Sequence, residues 1–293
     1  MIQRNNNLSV LPFYKDEAEQ NHRRSYAYGE VYPLYTPMGS VPPFQIICPY
    51  EAIDAVTAVT LYKADGTVVK ANMLSEMTGL TMRKFADYGY SVVLFPSVSP
   101  TTLTTEEGRY YLCVQLLSGT YYSDIFTVIG SVGGNINIQW YDIEDLVMDG
   151  SRIVYTNDND KIIYRNALWL GTQLGKPEYV FEEDGETRDG MFFAEKMISY
   201  KRYKCTILAP EYLCDVMRFI GLSDFINVVD QFGNTYRCDT FLITPKWEVQ
   251  GDLASVEIEF TCDTVAKKIG RGRIYLGSFN DDYNDDYDIT TIE

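Results

Sequence analysis

The sequence predicts a mainly β protein: an immunoglobulin-like β-sandwich followed by a second antiparallel β-rich domain with one short helix. Three observations point there. Short runs alternate apolar and polar residues, as in Ala254–Phe260, where Ala254, Val256, Ile258 and Phe260 face one way and Ser255, Glu257 and Glu259 the other; a period of two with one charged side is the pattern of a half-buried strand. Turn signals such as Ala64-Asp65-Gly66 close these runs at short spacing. The 293 residues include 24 tyrosines, whose rings suit a pleated surface and whose hydroxyls stay hydrated there.

Residues 1–40 read as an extended N-terminal arm, a polar lead-in and then a Tyr/Pro-rich connector. Pro33, Pro37, Pro42 and Pro43 prevent this stretch from forming a central strand or a helix. Residues 41–130 read as the sandwich. Its strands are expected in "FQIICPY" (44–50), on both sides of Asp65-Gly66, in "YGYSVVLFPS" (88–97) and in "GRYYLCVQLLSGTYYSDIFTVIG" (108–130). No tryptophan precedes Trp140, so the Cys-Trp-Cys core of antibody domains is missing and the expectation concerns layers only. "IGSVGGNIN" (129–137), with three glycines in nine residues, reads as a linker centred on Gly130–Gly134.

Residues 131–270 read as the second domain. "SRIVYT" and "KIIYRNALWL" flank a turn at 157–160, "EEDGETRDG" (182–190) reads as a polar loop, and "KRYKCTIL" (201–208) as a strand. Over 210–220, Leu213, Val216, Met217 and Ile220 recur at i, i+3, i+4 and i+7, with Pro210 for the first turn and Gly221 for the stop; this is the stripe of an amphipathic helix. A hairpin follows around Phe232-Gly233-Asn234, then a long one around Gln250-Gly251-Asp252, with Pro245 expected at an edge or bulge. Residues 271–293 form an acidic tail with five aspartates over 281–288, a self-repelling run expected to be flexible.

The net charge of −16 opposes binding to a phosphate backbone, so no direct nucleic-acid partner is expected. Six cysteines occur without any CxxC spacing and read as buried free thiols. The N-terminus lacks the apolar core of a signal peptide, and no run approaches 18 apolar residues, so no membrane span is expected.

Candidate chemistry is sparse. The single histidine, His22, sits in the lead-in, a poor place to hold a catalytic triad in register. Glycoside hydrolysis needs only two acids across a sugar, for which Asp142, Glu144 and Asp145 or Glu182, Glu183, Asp184 and Glu186 are candidates. Trp140, Tyr141 and Trp169 could supply a sugar platform beside them. Asp158 and Asp160 have the opening spacing of a calcium loop but lack its glycine and distal glutamate. "GSVGG" is followed by no Lys-Ser/Thr and fails as a phosphate loop. The sequence therefore predicts no catalytic residue, no cofactor and no metal. It predicts a contact surface instead, drawn from Trp140, Tyr141, Trp169, Trp247, Gln250 and Gly251.

Residues 211–270, "EYLCDVMRFIGLSDFINVVDQFGNTYRCDTFLITPKWEVQGDLASVEIEFTCDTVAKKIG", resemble the C-terminal part of uncharacterised structural proteins encoded by phages and prophages of gut Bacteroides-type bacteria. "IQWYDIEDLVMDG" and "GKPEYVFEEDGETRDGMFFAEK" are similar to their middle segment, and "EGRYYLCVQLLSGTYYSDIFTVI" to their N-terminal sandwich. The resemblance covers about residues 40–270. It implies a virion or tail-associated role, assembly in the host cytoplasm, and other virion proteins or further copies of the chain as partners. A glycan-binding, adhesin-like module and a carboxylate glycosidase are the alternatives.

Overall fold

The computed structural model describes residues 9–15, 34–97, 102–131, 133–143, 146–148, 153–155, 164–188, 190–247 and 253–268. His22, Glu144, Asp145, Asp158, Asp160, Gln250, Gly251 and the acidic tail lie outside them. The described chain is mainly β, with antiparallel pairing dominant and one α-helix.

The N-terminal half stacks two sheets. One contains β1 (Phe13–Tyr14), β2 (Leu34–Pro37), β4 (Val56–Lys63), β5 (Val68–Lys70), β8 (Gly108–Leu116), β9 (Gly119–Ser123) and β10 (Phe126–Ile129). The other has the order β3-β7-β6, from Phe44–Pro49, Tyr90–Phe95 and Thr81–Phe85. Alternation puts Phe44, Ile46, Val93 and Phe95 of the smaller sheet into one buried cluster with Val59, Leu61, Leu112 and Val114 of the larger. Phe13 of β1 meets Phe44 of β3 at 4.7 Å between ring centroids. The expected Asp65-Gly66 turn joins β4 to β5: Gly66 has φ +90, and the Asp65 carboxylate accepts from the Thr67 N–H at 2.8 Å.

Two parts of the 1–40 stretch are built into this core. Val10, Leu11 and Phe13 are fully buried, and β2 pairs in parallel with β10 from Phe126↔Leu34 to Ile129↔Pro37. Through Tyr35↔Trp169, β2 also joins β14 (Asn166–Leu170). Contrary to the expectation from its prolines, β2 is flanked on both sides; Pro37 is compatible because Met38 supplies the N–H to the Ile129 carbonyl of β10 at 2.9 Å, while the β14 pairing is confined to Tyr35. Strand pairing and the buried cluster thus continue across the Gly130–Gly134 seam, from β10 before it to β11 (Ile136–Tyr141) after it.

Beyond the seam the strand order is β14-β11-β17-β18-β19-β16-β15. β15 is Glu178–Arg188, β16 Met191–Pro210, β17 Phe225–Val229, β18 Thr235–Trp247 and β19 Leu253–Lys268. A separate two-stranded ladder pairs β12 (Leu146–Met148) with β13 (Ile153–Tyr155). Helix α1 (Glu211–Met217) starts directly after Pro210. The expected stripe is buried in full: Leu213, Val216 and Met217 on α1, and Ile220 on the 3-10 turn that follows. Phe219, just past α1, packs on the outer face of the smaller sheet beside Val92, Leu94 and Tyr164. Gly221 approaches Phe241 so closely that a Cβ there would lie 2.6 Å from its carbonyl oxygen, so this stop position needs glycine for space.

Candidate assembly surface

"EEDGETRDG" is not a loop. Glu182–Arg188 continue β15, whose ladder with β16 runs from Glu178↔Arg202 to Arg188↔Met191. Gly190 has φ +80, a geometry that suits Asp-Gly in a tight hairpin turn. The acidic composition conceals the strand, because β15 is held by its partner and not by burial. The Asp-Gly dipeptide was the available signal.

β16 has 20 residues and β19 has 16, against about five or six in an ordinary strand. They form the centre of a ribbon ordered β18-β19-β16-β15. Its first part is covered on one face. Tyr203, Cys205, Ile207 and Ala209 are buried opposite Phe260, Ile258, Val256 and Ala254, with α1 packed against these strands. The alternation seen in the sequence is therefore a core-facing one.

The same face continues past Lys201 and Cys262 and loses its cover. No described side chain from Glu178 to Lys201 is buried, and Asp263–Lys267 are all exposed. Here β15, β16 and β19 form a three-stranded blade. Phe181, Ser199 and Val265 lie directly opposite one another across it, so their side chains share one face. Tyr179 and Thr187 lie on that face by the period of two, and Phe192 pairs with Thr187. Tyr179 is 78% exposed, Val265 67%, Phe181 60% and Phe192 53%. Four large apolar side chains on one side of a thin blade form a surface that ordinarily meets other protein.

The opposite face of the ribbon is charged and internally paired. Arg202 contacts Glu178 and Glu259, Lys204 contacts Glu257 and Glu259, and Lys246 contacts Glu257, at 2.9–3.8 Å. The hydrogen bond to Glu259 and its charge raise the Lys204 pKa; Lys201, on the other face opposite Tyr179, is raised in the same way by its bond to Asp263. The pairs of Arg202, Lys204 and Lys246 make this the more heavily charged of the two faces. Among the described residues, the edge of β18 beyond Arg237 has no strand on the side away from β19, and Pro245 lies on that stretch, as expected for a residue without a donor.

The three tryptophans do not share a site. Trp140 is 2% exposed and belongs to the core, Trp169 is half-buried beside Tyr35, and Trp247 is 46% exposed at the end of β18. Tyr141, on the face opposite Trp140, stacks on Phe225 at 4.7 Å. Arg165 lies 5.2 Å over Tyr141 and Arg237 4.9 Å over Phe225, so the stack is closed at both ends by its own cations. A cavity of about 330 Å³ is lined by Val56, Leu74, Leu80, Met82 and Lys84 among others; no tryptophan borders it.

The acids divide in the same way. Asp142 is buried and accepts from the Asp224 N–H at 3.0 Å. Burial pushes its carboxyl above the usual range, the Asp224 N–H opposes this, and the Asp224 charge adds to it. Asp224 in turn accepts from the Ile143 N–H at 2.9 Å, so the two carboxylates stitch the end of β11 to the start of β17. Glu182 accepts from the Tyr200 hydroxyl at 2.7 Å on the exposed blade. All six cysteines are free thiols, and burial pushes Cys205 and Cys238 up to about 12. None of the described helices is long and apolar enough to cross a membrane.

No protein-family model matches the chain, and no curated protein matches it.

Proposed function

We propose that this chain is a non-enzymatic structural component of a phage or prophage virion, associated with the tail or baseplate, that joins its neighbours through the β15–β16–β19 blade. The observation that carries the assembly reading is the exposure of Tyr179, Phe181, Phe192 and Val265 on one face of a blade with no buried side chain among those described. A three-stranded ribbon without cover is marginal by itself, and this one is long, continuous with the core and apolar on one side. The virion assignment draws on the resemblance of residues 40–270 to phage and prophage structural proteins. Trp140 is buried, Tyr141 stacks on Phe225 and Trp169 is half-buried, so this reading draws on the blade instead.

Purified particles from a producing strain test this directly. Peptides of the chain are expected in density-banded particles, with residues 178–201 protected from surface labelling there and labelled in the free protein. Recovery of the chain only in the soluble fraction would rule out the virion role. Incorporation with the blade still labelled would rule out its use as the joint.

A further inference from the structure

The apolar face of the blade is ordered in rows. Phe181, Ser199 and Val265 form one row, and Glu183, Met197 and Lys267 the next, each read from β15 across β16 to β19. Glu183 and Lys267 are both exposed, and neither has an ion pair among the described residues. Two strand spacings, about 10 Å, separate them. On the opposite face, Arg202, Lys204 and Lys246 are already answered by glutamates of the same chain. The apolar face therefore carries unanswered charges of opposite sign at its two margins, level with each other and beside Phe181 and Val265, with β16 midway between.

We propose that this face packs on the same face of a second copy of the chain, about a two-fold axis running along β16; this rests on the reading of the blade as a joint and names its partner. Such an axis keeps each row level and exchanges the two outer strands. Phe181 then meets the partner's Val265, and Glu183 meets the partner's Lys267. Each contact occurs twice, as a closed, self-complementary interface requires. Ser199 and Met197 meet their own equivalents at the axis. A two-fold axis perpendicular to the strands would instead keep β15 over β15 and leave Glu183 with no Lys267 opposite it, so charge selects the axis along β16. Facing sheets cross within about 30°, which a small tilt of the axis supplies near the crossing point. At about 3.4 Å per residue and 4.8 Å per strand, the face covers roughly 450 Å². That is small for a permanent interface, so the association is reversible and is best read by trapping.

Cross-linking in the full chain tests the geometry. Facing sheets lie about 10 Å apart, too far for a disulfide, so a short bis-maleimide is the probe. Ser199→Cys puts one thiol of each copy at the axis, and the control, Ile198→Cys, puts it on the charged face. Five of the six native thiols are buried, and the unmodified chain sets their background. At about 0.15 M salt, which screens the net repulsion between two acidic chains, Ser199→Cys should give linked dimers at least tenfold faster than Ile198→Cys. Adding Glu183→Lys or Lys267→Glu alone should slow linking at least fivefold. Combining the two changes in one chain, or mixing the two single variants, should restore it. Equal linking at 198 and 199, or charge reversal without rescue, would overturn the proposal. In purified particles, absent linking with residues 178–201 protected would overturn self-pairing and leave the joint to a different protein. A blade still labelled there would overturn the joint as well.

Discussion

The two halves of the β16–β19 ladder share a strand type, are separated by a one-residue register shift between Ser199 and Lys201, and differ in what covers them. From Tyr203 to Pro210, every second residue of β16 is buried beneath α1 and the partner strands. From Met191 to Lys201, no described residue is. In the first half, the hydrophobic effect holds the ladder; in the second, backbone pairing holds it and the apolar face is left available. Strand length alone therefore does not define a core. A ribbon that outruns its own core presents the same chemistry outward, and that is the physical content of calling it a joint.

The comparison can be broken most strongly in the covered half. Leu213→Ala removes a fully buried side chain of α1 and should cost about 2–5 kcal/mol, measured by urea denaturation. A cost below about 1 kcal/mol would mean the helix is not the cover described. Next in size is Asp230, at the β17–β18 turn. Its carboxylate accepts from the Phe232 and Asn234 N–H groups at 2.9 and 2.8 Å, from the Asn234 side chain at 2.9 Å and from the Tyr236 hydroxyl at 3.2 Å. Burial alone would raise its pKa, but these bonds outweigh burial and lower it. A depressed carboxylate stabilises above its unfolded pKa and loses that contribution as pH falls through the folded one. Asp230→Ala should thus cost about 1.5–3 kcal/mol at pH 7, with the difference from wild type shrinking in acid.

Asp142 sharpens the contrast with the opposite sign. Its folded pKa is raised, so the folded state holds the proton more tightly and stability declines as pH rises from about 4 through the raised value. Asp142→Asn retains an oxygen to accept from the Asp224 N–H and removes the buried charge. It should be neutral to stabilising at pH 7, with any gain lost at pH 4, when urea midpoints are compared at the two pH values. The smallest effect on stability belongs to the blade: Phe181→Asp should shift the unfolding free energy by no more than about 0.5 kcal/mol.

The covered half was legible in the sequence because burial imprints a period. The 254–260 alternation and the 213–220 stripe each follow from one face meeting the core. The same logic separates Trp140 from Tyr141, neighbours whose side chains must point to opposite faces. The blade left a weaker trace. In β15 the run Tyr179-Val180-Phe181 and the acids after it have no period to read, since neither face is buried, and the strand is imposed by β16. The burial of Val10, Leu11 and Phe13 was equally hidden, because long-range packing recruits them from a segment whose flanking residues are polar.

Competitive incorporation during assembly tests the central claim most directly. Wild-type and Phe181→Asp chains, supplied in equal amounts and matched in denaturation midpoint, would be counted in purified particles by mass spectrometry. The account predicts at least a tenfold deficit of Phe181→Asp in particles and parity in the soluble pool. Equal incorporation of the two chains would contradict it.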